Sequence, residues 1–110
     1  MALLATIAVL ASGLYGTVTK GPTTPVCRAG QPCSAPAQVT LLFRPERGST
    51  RTTRVHTDAR GHYRVLLAPG TYAVSTVERI GVSRNIRPRL VHVRPSHVDR
   101  LDFAIDTGIR

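Results

Sequence analysis

Tryptophan is absent, and the 110-residue chain holds only five aromatic residues: Tyr15, Phe43, Tyr63, Tyr72 and Phe103. All five fall in apolar or alternating segments, which leaves few for stacking on bases or sugars. Acidic residues are also scarce. Six Asp and Glu stand against fifteen Lys and Arg, and every basic residue except Lys20 is arginine. The resulting net charge of +9 favours anionic partners such as nucleic acid, acidic cell-wall polymer or lipid headgroups. The arginines run from Arg28 to Arg110 without a block of five, the pattern of a solvated face rather than a basic arm. Beyond the first eleven residues no window carries a helical stripe, so the length is that of one domain with a single core and no long helices.

What is present begins with an apolar stretch. Residues Ala2 to Ala11 are almost wholly apolar, and Val9-Leu10-Ala11 before Ser12 offers the small residues a signal peptidase takes. The expected organisation is a signal peptide over residues 1–11, without a basic n-region, and one domain over residues 12–110. An apolar first strand or helix of the mature fold is the alternative. The stretch is shorter than the roughly 20 residues a spanning helix needs. Leu14 stands where a lipoprotein signal would place its cysteine, which disfavours a lipid anchor.

Only two cysteines occur, Cys27 and Cys33, in the segment GPTTPVCRAGQPCSAPA. Its prolines and glycines exclude a helix and a central strand. A bridge between the two would close a small loop, constrain the unfolded chain by about 2 kcal/mol, and persist in an oxidising compartment. Two thiols are too few for structural zinc, and their spacing is not that of a redox pair. A disulfide is therefore expected, and no metal or cofactor.

After this loop the pattern has a period of two. In Gln38 to Pro45, Val39, Leu41 and Phe43 alternate with Gln38, Thr40 and Arg44, as a half-buried strand requires. Similar runs occupy Thr52 to Thr57, His62 to Leu67, Thr71 to Val77, Arg89 to Arg94 and Val98 to Ile105, and Leu14 to Thr19 makes seven. Seven short strands with turns about every ten residues predict an all-β, antiparallel β-sandwich.

Two of the turns carry a resemblance. Thr57-Asp58-Ala59-Arg60-Gly61-His62-Tyr63, followed by Leu67-Ala68-Pro69-Gly70-Thr71-Tyr72, is similar to the paired signature of carboxypeptidase regulatory-like domains. In such a turn Asp58 caps, Gly61 supplies the unusual φ and Tyr63 re-enters the core, while Pro69-Gly70 reverses the chain so that Tyr72 packs nearby. The order of Gly16-Thr17-Val18, Gly21-Pro22, the Cys pair, the double turn and a terminal Asp-Thr-Gly-Ile-Arg also resembles small exported actinobacterial proteins. The resemblance implies a transthyretin-like, Ig-like Greek-key sandwich acting as a structural, adhesive or ligand-presenting module.

Catalytic motifs are few. Asp106-Thr107-Gly108 matches the triplet of aspartic proteases, but nothing follows Arg110 to hold the carboxylate from both sides, and such an enzyme needs two carboxylates sharing one proton. A turn after the last strand is the simpler expectation. His56, His62, His92 and His97 lack a serine elbow, phosphate loop or metal-ligand spacing. Asp99 and Asp102 are expected to pair with Arg100 and neighbouring arginines. Alternation places Arg54, Arg64 and Arg94 outward with His56 and His92, which makes those arginines the candidate face for an anionic ligand.

These observations lead to an exported, non-enzymatic module with a structural or ligand-binding role at the cell envelope. Its expected partner is an anionic envelope polymer or another envelope protein, without specific nucleic-acid binding. A carbohydrate-binding module of starch-binding-like fold is the second reading and would need aromatics exposed in a groove. A hydrolase or protease accessory domain is the third.

Overall fold

A computed structural model of the chain describes residues 11–23, 26, 29–30, 33–48, 51–78 and 86–107. The expected leader over residues 1–11 lies outside them apart from Ala11, and so do Cys27 and Gly108 to Arg110. Ten strands and no helix occur among the described residues: β1 (Gly13–Gly21), β2 (Ala35–Pro36), β3 (Thr40–Pro45), β4 (Thr53–His56), β5 (His62–Leu66), β6 (Gly70–Thr76), β7 (Ile86–Arg87), β8 (Leu90–Val93), β9 (Val98–Arg100) and β10 (Phe103–Asp106). They form two sheets packed as a sandwich-like body.

The second sheet runs β4-β3-β6-β8 and is antiparallel throughout. The first is built around β1. Its early residues pair antiparallel with β5, from Gly13 opposite Leu66 to Thr17 opposite His62, and its later ones with β2. Along its other side β1 pairs parallel with β9 and then with β10, to whose far side β7 adds antiparallel. The first sheet is therefore mixed, not antiparallel as expected.

All seven expected segments overlap an observed strand, and the count rises to ten for two physical reasons. Strands β2 and β7 have two residues each and adjoin proline, too short for an alternation to register. The segment Val98 to Ile105 divides in two at Leu101-Asp102. Register with β1 continues through the break, since Gly13 faces Val98 and Val18 faces Phe103. At the break the Leu101 N–H donates to the Tyr15 carbonyl at 2.8 Å, while the Asp102 side chain takes the Thr17 N–H at 2.9 Å. Gly16 makes this possible. A Cβ there would lie 2.2 Å from the Leu101 carbonyl oxygen, well inside contact distance.

The core sits between the sheets. Leu41, Phe43, Tyr72, Val74, Val91 and Val93 face Leu14, Val18, Tyr63, Val65, Phe103 and Ile105, all buried. Phe43 of the second sheet meets Phe103 edge-on at 6.2 Å between ring centroids and Tyr63 at 6.4 Å, while Tyr63 and Phe103 lie 5.5 Å apart. Tilted ring pairs of this kind add about 0.5–1.5 kcal/mol each beyond the area they bury. The buried Thr57 hydroxyl accepts the Val39 N–H at 2.8 Å and donates to the Ala37 carbonyl at 2.6 Å. No buried side-chain polar atom among the described residues lacks a partner.

Candidate functional site

Both turns that carry the family resemblance are crossings between the sheets. Asp58 to Gly61 takes the chain from β4 of the second sheet to β5 of the first, and Leu67 to Pro69 returns it to β6. In the first crossing the Asp58 carboxylate accepts the N–H groups of Arg60 at 2.9 Å and His62 at 2.8 Å. The His62 bond is the main reason its carboxyl titrates below the usual range. Gly61 has φ +78° and packs where a Cβ would lie 2.4 Å from the Val18 carbonyl oxygen; its own carbonyl accepts the Val18 N–H at 2.7 Å. The Tyr63 hydroxyl donates to the Leu101 carbonyl at 2.5 Å, and burial, with the Asp102 charge, pushes that phenol well above its ordinary value. After the second crossing, with Pro69 exposed and Gly70 opening β6, the Tyr72 hydroxyl donates back to Ala68 at 2.7 Å. These six residues shape the scaffold.

The three arginines Arg54, Arg64 and Arg94 do not share a face. Arg54 lies on β4 opposite Leu42, and Arg64 on β5 opposite Tyr15, so the two project from opposite sides of the sandwich. Arg94 is engaged: its Nε donates to Asp99 Oδ2 at 2.9 Å and its Nη2 to Oδ1 at 2.5 Å. This pair ties the end of β8 in the second sheet to β9 in the first. Asp99 thus pairs with Arg94, while Arg100 Nε reaches Asp102 Oδ1 at 3.4 Å.

The histidines are dispersed and exposed. His56 Nδ1 lies 2.8 Å from the Thr40 hydroxyl, His92 Nδ1 3.3 Å from that of Thr71, and His97 Nδ1 2.8 Å from the Pro95 carbonyl. Asp106 closes β10 opposite Gly21. Thr107 is buried, its N–H donating to the Gly21 carbonyl at 3.0 Å and its hydroxyl to that of Pro22 at 2.7 Å. At these two positions the terminal triplet closes a strand.

The most distinctive surface lies on the outer face of the first sheet. Register across β5, β1 and β9 puts Arg64, Tyr15 and Arg100 in one transverse row. On one side of it stand Leu66 and Val98, both in register with Gly13. On the other stand His62, opposite Thr17, and Asp102, which holds the Thr17 N–H. A shallow cleft of about 490 Å³ opens here, lined by Tyr15, Thr17, His62, Arg64, Val98 and Arg100 among others. Tyr15 is 43% exposed, and no cation–π or ring contact covers it among the described residues. Arg64 has no ion-pair partner among them, and Arg100 is engaged only through Nε.

Charge in the cleft is balanced toward positive. Asp102 offsets part of it, its carboxyl held low chiefly by the Thr17 N–H, and His62 lies 3.9 Å from Asp58. A second hollow, of about 590 Å³, crosses the outer face of the other sheet between Arg44 and Arg89 over Leu42, Ala73 and Leu90, but holds no aromatic.

Tyr15 and Arg100 are the residues the sequence reasoning missed. All five aromatics fall in apolar or alternating segments, and Tyr15 is the one that the fold leaves exposed. The signal was available: Leu14, Gly16 and Val18 are the inward positions of β1, and strict alternation turns Tyr15 outward. Comparison with protein-family models, with characterised proteins and with solved structures gives no match.

Proposed function

We propose that the chain is an exported, non-enzymatic β-sandwich module that binds an anionic component of the cell envelope. The observation that carries this reading is the Arg64–Tyr15–Arg100 row, in which two exposed guanidinium groups flank an exposed ring. Guanidinium recognises carboxylate and phosphate through paired donors, and a surface with this excess of arginine steers anions toward it. Export is supported by the apolar leader in the sequence; Ser12, the first residue after it, is held in the fold by its hydroxyl, which donates to the Leu67 carbonyl at 2.5 Å, and by its carbonyl, which accepts the Leu67 N–H at 3.0 Å. Cleavage after Ala11 leaves that anchor intact. An oxidising destination accords with a Cys27–Cys33 bridge, which we include in the proposal.

The carboxypeptidase regulatory-like assignment, with transthyretin-like Greek-key connectivity, belongs to the same proposal. It is supported by the Asp58 cap, Gly61 and the two tyrosine hydroxyls at the sheet crossings. A second reading, a carbohydrate-binding module, gains from the exposed Tyr15. Pull-down of envelope components with the mature protein, followed by titration at low and physiological salt, tests the first reading. Retention of an anionic polymer that weakens with salt is expected, as screening shortens to about 8 Å near physiological strength. Binding that ignores salt and is directed to neutral polysaccharide favours the second.

A further inference from the structure

We propose that the cleft around Tyr15 accommodates a hexuronate unit of an acidic polysaccharide. This rests on the reading above and specifies its ligand. Each part of a uronate ring has a counterpart in the cleft. The carboxylate is planar and suits the donors of Arg64 or Arg100, which stand on either side of Tyr15. The C–H face of the pyranose is apolar, and the partly exposed Tyr15 side chain gives it a surface on which to leave water. Leu66, 62% exposed, and Val98 extend the apolar area beside the row. The ring hydroxyls need acceptors and donors, and the Asp102 carboxylate, the Thr17 hydroxyl and His62 supply them on the opposite flank. Sites for small polar rings combine an apolar surface with a few placed polar groups in this way.

Other anionic polymers use less of the cleft. A polyol-phosphate chain engages the arginines but has no flat ring to cover Tyr15. A single-stranded nucleic acid has rings, but its binding sites stack successive bases along a basic groove, and Tyr15 is the one exposed aromatic among the described residues. The carboxylates Asp102 and Asp58 border the cleft; they accept hydroxyl donors, which a pyranose ring offers and a DNA phosphodiester backbone does not. Two cations favour an acidic sugar over a neutral one.

The test is a set of titrations of the mature protein against polygalacturonate, alginate, amylose, a glycerol-phosphate polymer and a single-stranded oligonucleotide. The variants are Tyr15→Ser, Tyr15→Phe and the double change Arg64→Ser with Arg100→Ser. The expected result is binding to a polyuronate that weakens about tenfold or more in Tyr15→Ser and in the double arginine variant, and survives in Tyr15→Phe. Tyr15 and both arginines are exposed, and an unchanged melting curve verifies that the fold is intact. Tighter binding of the phosphate polymer or the oligonucleotide, indifferent to Tyr15→Ser, overturns the uronate assignment and leaves the anion reading standing. Equal binding of amylose overturns the role of the arginines. Failure of every anionic polymer to bind overturns both.

Discussion

Asp102 accepts the Thr17 N–H at 2.9 Å and the Thr17 hydroxyl at 3.2 Å, at the point where the parallel partners of β1 pass from β9 to β10. A side chain here replaces a strand carbonyl. It keeps the register of β1 continuous while β9 and β10 part, and it places a carboxylate beside the Arg64–Tyr15–Arg100 row. One residue thus serves both the sheet and the rim of the cleft.

Asp102→Ala should therefore lower stability by about 1 kcal/mol, the usual net value of such a hydrogen bond, limited because the carboxylate is half exposed. The Asp102 carboxyl is depressed from its ordinary value of 3.8, first by the Thr17 N–H bond. Its contribution is then present above that value and lost as pH falls through the lower, folded one. Urea unfolding at neutral pH and at about pH 3 should show the variant's deficit shrinking on acidification. A deficit of equal size at both pH values would assign the residue a purely steric role.

Gly61→Ala should be among the most damaging single changes. The residue has φ +78° and its Cβ would meet the Val18 carbonyl oxygen at 2.4 Å. Left-handed backbone alone costs roughly 1–3 kcal/mol, and the contact with β1 adds to it. Thermal melting measures the loss, and a melting point equal to that of the unaltered protein would mean that the crossing relaxes freely.

Phe43→Ala removes the ring that joins the two sheets. Phe43 is fully buried and meets Tyr63 and Phe103. The expected cost is about 3–5 kcal/mol, read by denaturant titration, against a change within about 0.5 kcal/mol for the exposed Arg54→Ser on the opposite face.

For the cysteines, the protein isolated without reductant and denatured should resist thiol alkylation, and paired Cys27→Ser and Cys33→Ser changes should cost about 2 kcal/mol. Two alkylated thiols without reductant would remove the bridge from the account.

Much of this fold was legible because alternation of apolar and polar residues reports burial directly. His62 to Leu66 reads outward, inward, outward, inward, outward, and its burial follows that order. What alternation does not encode is which strand lies beside which. The parallel pairing of β1 with β9 and β10 joins residues far apart in sequence, and Gly16, which permits it, reads locally as an ordinary glycine. For the same reason Arg54, Arg64 and Arg94 looked equivalent. All three are outward, but outward from different sheets, and Arg94 is taken by Asp99. The Tyr15 row needed pairing as well as parity, because its arginines come from β5 and β9.

The most direct test compares two pairs of arginines on opposite faces. Affinity for an anionic envelope polymer is measured at low salt for Arg64→Ser with Arg100→Ser, and for Arg44→Ser with Arg54→Ser, which remove the same net charge. Binding centred on the Tyr15 cleft predicts a loss of about tenfold or more in the first variant and a small change in the second. Equal losses in the two would contradict it, and would make the basic surface a diffuse charge with no site.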